Sequence, residues 1–166
     1  MASHFDAITD AQADLLRAAK VFFVATADPA QAQGPHGIGA VNVSPKGGVP
    51  LLLVSSNRVA FLDYPGSGNE TARHAQAGSP VTLMACSFSA EDAVIVRLYG
   101  RATVESIHES VYADALLDHN TGPTKNIRQV IVLDVESTMT SCGYGVPVME
   151  FVRQRGPEGR GRRYKE

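Results

Sequence analysis

Two cysteines are all that the 166 residues contain, and Cys86 and Cys142 stand far apart in no CxxC pattern. Such spacing indicates neither a zinc site nor a redox pair, and a reducing compartment follows as the expectation. The five histidines, at positions 4, 36, 74, 108 and 119, lack H-E-x-x-H or any other metal-ligand spacing, so no metal is expected. The chain has no G-x-S-x-G elbow, no G-x-G-x-x-G after a strand, no P-loop lysine motif and no internal repeat, which removes the common signatures of hydrolases, dinucleotide binders and P-loop nucleotide binders. A basic excess is missing as well. Fifteen Lys and Arg against 17 Asp and Glu give a formal charge of −2, which argues against a nucleic-acid or membrane-surface partner. Long apolar runs are also absent: VPLLLV, from Val49 to Val54, is too short to span a bilayer. The N-terminus shows no basic region followed by an apolar core, so the expected product is soluble and cytoplasmic.

The length suits one domain with a core of its own. That domain is expected over residues 1–152. From 153 to 166 the tail RQRGPEGRGRRYKE carries six Lys or Arg against two Glu. Such a composition packs poorly and reads as a solvated, disordered terminus, with an anion-binding arm as the functional alternative.

Thr9 or Asp10 is placed to cap a first helix that brings Ile8, Ala11, Leu15 and Ala19 near one face. VFFVATAD (Val21 to Asp28) reads as a buried strand, followed by a Pro, Gly and Gln loop through Gly39. AVNVSP and VPLLLVSS flank Lys46-Gly47-Gly48, a turn that predicts a hairpin. VAFLDY (Val59 to Tyr64) is either a short strand or an irregular approach to the glycine turn that follows. A second helix is expected to begin near Asn69 and to stop at Gly78, where a C′ glycine precedes Pro80. VTLMACSF, AVIVRLYGRATVE and QVIVLDVE supply the remaining strands, and Ser106 to His119 a third helix with Ile107, Val111, Ala115 and Leu116 inward. In AVIVRLYGRATVE, Val94, Val96 and Leu98 alternate with Ile95, Arg97, Tyr99 and Arg101, which gives one apolar and one polar-equipped face. Strands joined by hairpins, with helices between them, predict a mainly β, antiparallel α+β barrel rather than a βαβ sheet.

The most informative stretch is DYPGSGNETARH, Asp63 to His74, where Gly66-Ser67-Gly68 immediately precedes the second helix. Free N–H groups at such a junction suit an anion. Ser67 and Glu70 equally fit the S-x-x-E capping box, in which both side chains only satisfy the helix's own donors. His74 follows on that helix, either on its surface or at the mouth of a site.

Together with NVSPKG (Asn42 to Gly47), RLYGR (Arg97 to Arg101) and SCGYGVPVMEF (Ser141 to Phe151), this stretch resembles the pyridoxamine 5'-phosphate oxidase-like flavoproteins of the FMN-binding split-barrel class. The resemblance runs from about Ala18 to Phe151 and is to the branch carrying GSGNET and SCGYGVP. It implies a six-stranded antiparallel split β-barrel with flanking helices, FMN as cofactor, and a homodimer with the flavin at the subunit interface. The reaction implied is oxidation or reduction of a small molecule whose identity the residues leave open. Lys46 aligns with a lysine used near the cofactor, and Ser67, Gly68, Asn69 and Thr71 would surround the phosphate. Asn42, Val43 and Ser44 would lie along the ring. Arg97 and Tyr99 would serve as clamp and border, while Cys142 and Tyr144 would approach from the partner subunit. Each has a structural alternative: a turn lysine, a paired strand arginine, a glycine turn. The vitamin B6 oxidases end in a Trp-containing Arg-x-His motif. This chain has no Trp and no Arg-x-His after Ser141, so pyridoxamine phosphate oxidation is not expected. A flavin-binding module without turnover, a barrel that takes deazaflavin or haem, and one that has lost its cofactor are the rival readings.

Overall fold

Alternation of buried and exposed residues at a period of two governs most of the chain. Val21 to Ala27, for example, buries Phe22, Val24 and Thr26 and leaves the residues between them half-exposed. The computed structural model describes residues 2–28, 30, 40–49, 51–65, 68–120 and 127–155. Within them lie β1 (Ser3–Phe5), α1 (Asp10–Ala18), β2 (Val21–Ala27), β3 (Val41–Gly47), β4 (Leu51–Ser55), β5 (Arg58–Asp63), α2 (Glu70–Gln76), β6 (Pro80–Cys86), β7 (Val94–Ser106), α3 (Ala113–Asp118) and β8 (Gln129–Cys142). The fold is mainly β and antiparallel, with three helices among the described residues, as the sequence predicts.

The strand count and closure need correction. The described strands form one eight-stranded sheet rather than six, ordered β3-β2-β6-β7-β8-β5-β4 with β1 beside β8, and the sheet does not close. Two pieces account for the difference: VAFLDY belongs to a full strand, β5, and three residues near the N-terminus pair with Thr138 to Thr140. β7 and β8 are long enough, at 13 and 14 residues, to carry several neighbours along their length. They shift register between Tyr99 and Gly100, where a Cβ on Gly100 would collide with the carbonyl oxygen of Asp134. The predicted hairpin across Gly47-Gly48 is absent. β3 pairs with β2 and β4 with β5, so these consecutive strands are the two ends of the sheet, and Gly48 turns the chain at φ +74°.

Phe22 of β2 meets Phe61 of β5 edge to face, with centroids 5.3 Å apart, across an interior filled by Leu16, Val24, Val59, Leu83, Leu98, Ile131 and Leu133. Strand β5 is buried on both faces because Leu116 of α3 covers Ala60 and Leu62 on its other side. α1 is closed by the Thr9 capping box, although its partner is Gln12 and its buried residues are Gln12, Ala13 and Leu16. The third helix is shorter than predicted. Ser106 ends β7, Val111 is 83 % exposed, and only Ala113–Asp118 is α-helical. Among the described residues no helix is long and apolar enough to cross a membrane.

Candidate functional site

The alternation of β3 turns Asn42, Ser44 and Lys46 to the same side as Thr26, Val24 and Phe22 of β2, and leaves Val41 and Val43 outward at 73 % and 63 % exposure. Helix α2 lies over that inner side. Thr71, Ala72, His74 and Ala75 are its buried residues, and Asn69, not Ser67, is its N-cap. Glu70 is therefore the first helical residue rather than the third, and the S-x-x-E capping box gives no account of this helix start. Ser67 and Gly66 lie outside the described residues.

Between β3 and α2 runs a series of hydrogen bonds. Asn42 Nδ2 donates to Thr71 Oγ1 at 3.1 Å and to Thr26 Oγ1 at 3.4 Å, Ser44 Oγ lies 3.5 Å from Thr71 Oγ1, and His74 Nδ1 lies 2.8 Å from Thr26 Oγ1. Farther along β3, Lys46 Nζ donates to Asp63 Oδ1 at 2.8 Å, with side chains 18 % and 7 % exposed. Gln129 Nε2 donates to Asp63 Oδ2 at 2.8 Å and to Asn69 Oδ1 at 2.9 Å. Arg128 Nη1 donates to the carbonyl of Gly68 at 3.2 Å. Lys46 on β3 and Asp63 on β5 come from opposite arms of the open sheet, so side chains and α2 join what no backbone ladder joins.

Two sequence-distant predictions thus meet: Asn42 and Ser44 bond directly to Thr71, Lys46 is linked to Asn69 through Asp63 and Gln129, and Gly68 is held by Arg128. Arg97 and Tyr99 do not join them within this chain. They share the outward face of the sheet with Met84 and Met139, where Arg97 Nη1 donates to Ser141 Oγ at 2.9 Å and the Tyr99 hydroxyl faces the Met139 sulfur at 3.9 Å. Cys142 is exposed at the end of β8, and Tyr144 is 91 % exposed in the turn that follows. Gly143 between them packs so tightly on Val94 that a Cβ would clash with the backbone.

Sequence reasoning assigned no role to Asp63, Arg128, Gln129 or Thr26, and left His74 between a surface and a mouth position; the ring is fully buried. A signal for Asp63 and Gln129 exists: each is a polar residue directly beside a four-residue apolar run, VAFL in β5 and VIVL in β8. Burial pushes the Cys86 thiol up from its ordinary value. Cys86 lines a cleft of about 410 Å³ with Leu15, Phe88, Met149 and Phe151, which includes none of the predicted cofactor residues. No group of three or more His, Cys, Asp or Glu among the described residues is arranged to hold a metal.

The donor set fits a flavin mononucleotide. Amide and hydroxyl groups are grouped on β3 and α2. The Lys46 ammonium and Arg128 guanidinium have donors beyond those they spend on Asp63 and Gly68. In overall shape, a Lactobacillus delbrueckii protein provisionally named a pyridoxamine 5'-phosphate oxidase superposes with a TM-score of 0.58 at 22% identity, over 81% of this chain and 94% of that one. The FAD and haem binding protein of Mycobacterium smegmatis superposes with a TM-score of 0.53 at 14% identity, over 89% and 76%. At these identities the solved structures establish the split-barrel fold alone. In sequence, the pyridoxamine 5'-phosphate oxidase family protein ustO of Aspergillus flavus is 32% identical over 150 residues. Those residues are 89% of this chain and 57% of the fungal protein, so the chain spans little more than half of that relative. The profile of the pyridoxamine 5'-phosphate oxidase family matches residues 8–142, and on that match this chain belongs to that family.

Proposed function

We propose that the protein binds FMN and acts, as a homodimer, as an oxidoreductase on a small molecule. The observation that carries this reading is the meeting of Asn42 and Ser44 of β3 with Thr71 of α2, beside the chain of contacts that runs from Lys46 through Asp63 and Gln129 to Asn69. Bound flavin supplies the electron transfer, which accounts for the lack of an evident side-chain acid, base or nucleophile. The chain's own residues bind and orient: Lys46 and Arg128, with Ser67 and the N–H groups near Gly68, take the phosphate, while Asn42, Ser44, Thr71 and the Val43 backbone take hydroxyl and ring atoms. Asp63 holds the Lys46 ammonium in place and offsets its charge, so the Arg128 guanidinium carries the net positive charge offered to the phosphate.

The outward face supports the dimer. Exposed Val41 and Val43 on the edge strand share this face with Phe23, Met84, Tyr99 and Met139, apolar side chains set around Arg97, a mixed surface of the kind that subunits cover. Arg97, Tyr99, Cys142 and Tyr144 lie on that face or beside its end, where they would meet a cofactor bound by a second copy. Two cysteines without a disulfide suit a cytoplasmic setting.

The test is the visible spectrum of the purified protein, mass spectrometry of what acid releases, and titration with FMN and riboflavin. Released FMN, and a Lys46→Ala variant that loses about tenfold in FMN affinity with little change for riboflavin, is the expected result. Equal loss for both would remove the phosphate role. A haem or deazaflavin spectrum, or a colourless protein that takes up no FMN, would overturn the reading, and a monomer at micromolar concentration would remove the interface-bound flavin.

A further inference from the structure

We propose that His74 is a positioning residue that fixes the direction of the hydrogen bonds between β3 and α2, so that Asn42 presents its side-chain oxygen, and Ser44 its hydroxyl proton, to a bound ligand. Thr26 is 3 % exposed, and among the described residues its hydroxyl bonds only to Asn42 Nδ2, at 3.4 Å, and His74 Nδ1, at 2.8 Å. A hydroxyl has one proton to give. Asn42 Nδ2 is a donor, so the Thr26 proton goes to His74 Nδ1, and the neutral imidazole carries its own proton on Nε2. The opposite tautomer would have Thr26 accept from both partners and leave its proton without an acceptor in the interior, the costlier arrangement. Nε2 is enclosed and has no hydrogen-bond partner, so this tautomer leaves one proton unpaired there, whereas the opposite one would leave both the Thr26 proton and the Nε2 lone pair unpaired.

The direction then propagates. One N–H of the Asn42 amide goes to Thr26 and the other to Thr71 at 3.1 Å, which exhausts its donors and leaves Oδ1 without a hydrogen bond to any of the described residues. Thr71 accepts from Asn42 and lies 3.5 Å from Ser44 Oγ, a contact in which either hydroxyl can be the donor; with Thr71 as donor, its one proton goes to Ser44 and the Ser44 proton is left for another acceptor. The series therefore offers one acceptor, Asn42 Oδ1, and one donor, Ser44 Oγ–H, two residues apart on the same side of β3. It is complementary to a ligand with an N–H or O–H group and an oxygen, and it fits less well one with acceptors alone. His74 acts on the ligand only through Thr26 and Asn42. The choice of tautomer stands on its own, while the ligand rests on the flavin reading above.

The test has two parts on the full-length protein. A long-range ¹H–¹⁵N correlation spectrum, with the His74 signals identified by their loss in His74→Asn, is expected to show protonated Nε2 and bare Nδ1. A proton on Nδ1 overturns the proposal. In FMN titrations His74→Leu should weaken binding about tenfold, the order of one lost hydrogen bond, and His74→Asn, whose side-chain oxygen can still accept from Thr26, should stay within about threefold of wild type. In an Asn42→Ala background, His74→Leu should add less than about twofold, because its effect passes through Asn42. Losses that multiply, or no rescue by Asn, would make His74 merely structural and overturn the positioning role. If the wild-type protein takes up no FMN, the flavin reading fails, and the tautomer alone decides for or against His74.

Discussion

Removing the carboxylate of Asp63 probes the junction between the two arms of the sheet. Asp63 is 5 % exposed and accepts from Lys46 Nζ and Gln129 Nε2, both at 2.8 Å. In Asp63→Leu both bonds vanish and an ammonium whose side chain is only 18 % exposed loses its counter-charge. Stranding one member of a buried pair costs about 3–5 kcal/mol, and because Lys46 retains some access to water the lower end, about 3 kcal/mol, is expected. Lys46→Met should cost less, about 2 kcal/mol, since Gln129 still donates to Asp63. The double variant removes both charges together and should be about 2 kcal/mol more stable than the sum of the single losses implies. Urea denaturation measures each value. With a slope of about 1–3 kcal/mol per molar, the Asp63 variant's midpoint should fall by roughly 1–3 M. Strictly additive losses would refute the claim that these two charges sustain each other.

Gly100→Ala should cost at least about 2 kcal/mol, since the new Cβ meets a backbone carbonyl that cannot turn aside as a side chain does; an unchanged melting temperature would sink the account of the bulge. The thiols should differ in rate with Ellman's reagent near pH 8: exposed Cys142 reacts first, and half-buried Cys86, with its raised value, lags; equal rates would contradict the burial argument. The same shift sets a sign for stability. A thiol harder to ionise when folded contributes stability that is fully present below the ordinary thiol value and is lost as pH rises through the folded one, so Cys86→Ser should flatten that alkaline decline.

Much of the architecture was legible because burial on one side of a strand writes itself into alternate residues. VFFVATA and VIVRLYG show it plainly, and the Thr9 cap and the Gly78 stop mark helix ends by chemistry that acts within a few residues. Partner choice was not legible. Gly47-Gly48 looks like a hairpin turn, yet β3 and β4 part to opposite ends of the sheet, because strand pairing is decided by the whole interior and not by the connection. The site divides in the same way. Asn42, Ser44 and Lys46 follow from the period of β3, and Asn69 and Thr71 from the glycine turn, whereas Asp63, Gln129 and Arg128 gain their meaning only from neighbours some 60 residues away or, for Asp63 and Lys46, 17. His74 was read as a surface or mouth residue because a seven-residue helix gives too few turns to show which side faces inward.

A hoop fastened at one place opens there first. Backbone pairing runs unbroken from β3 round to β4, and the Lys46 to Asp63 contact with the side chains around α2 forms its clasp. β3 has a strand on one side only, whereas β8 is held by β1, β5 and β7, so the amides of β3 exchange with solvent by local opening long before those at the centre of β8. The wall of the candidate site is thus also the least cooperative strand beside it. Any molecule that grips Asn42 and Ser44 only when β3 is seated slows that opening in proportion to its occupancy, which turns the exchange rate of one edge strand into a gauge of ligand affinity.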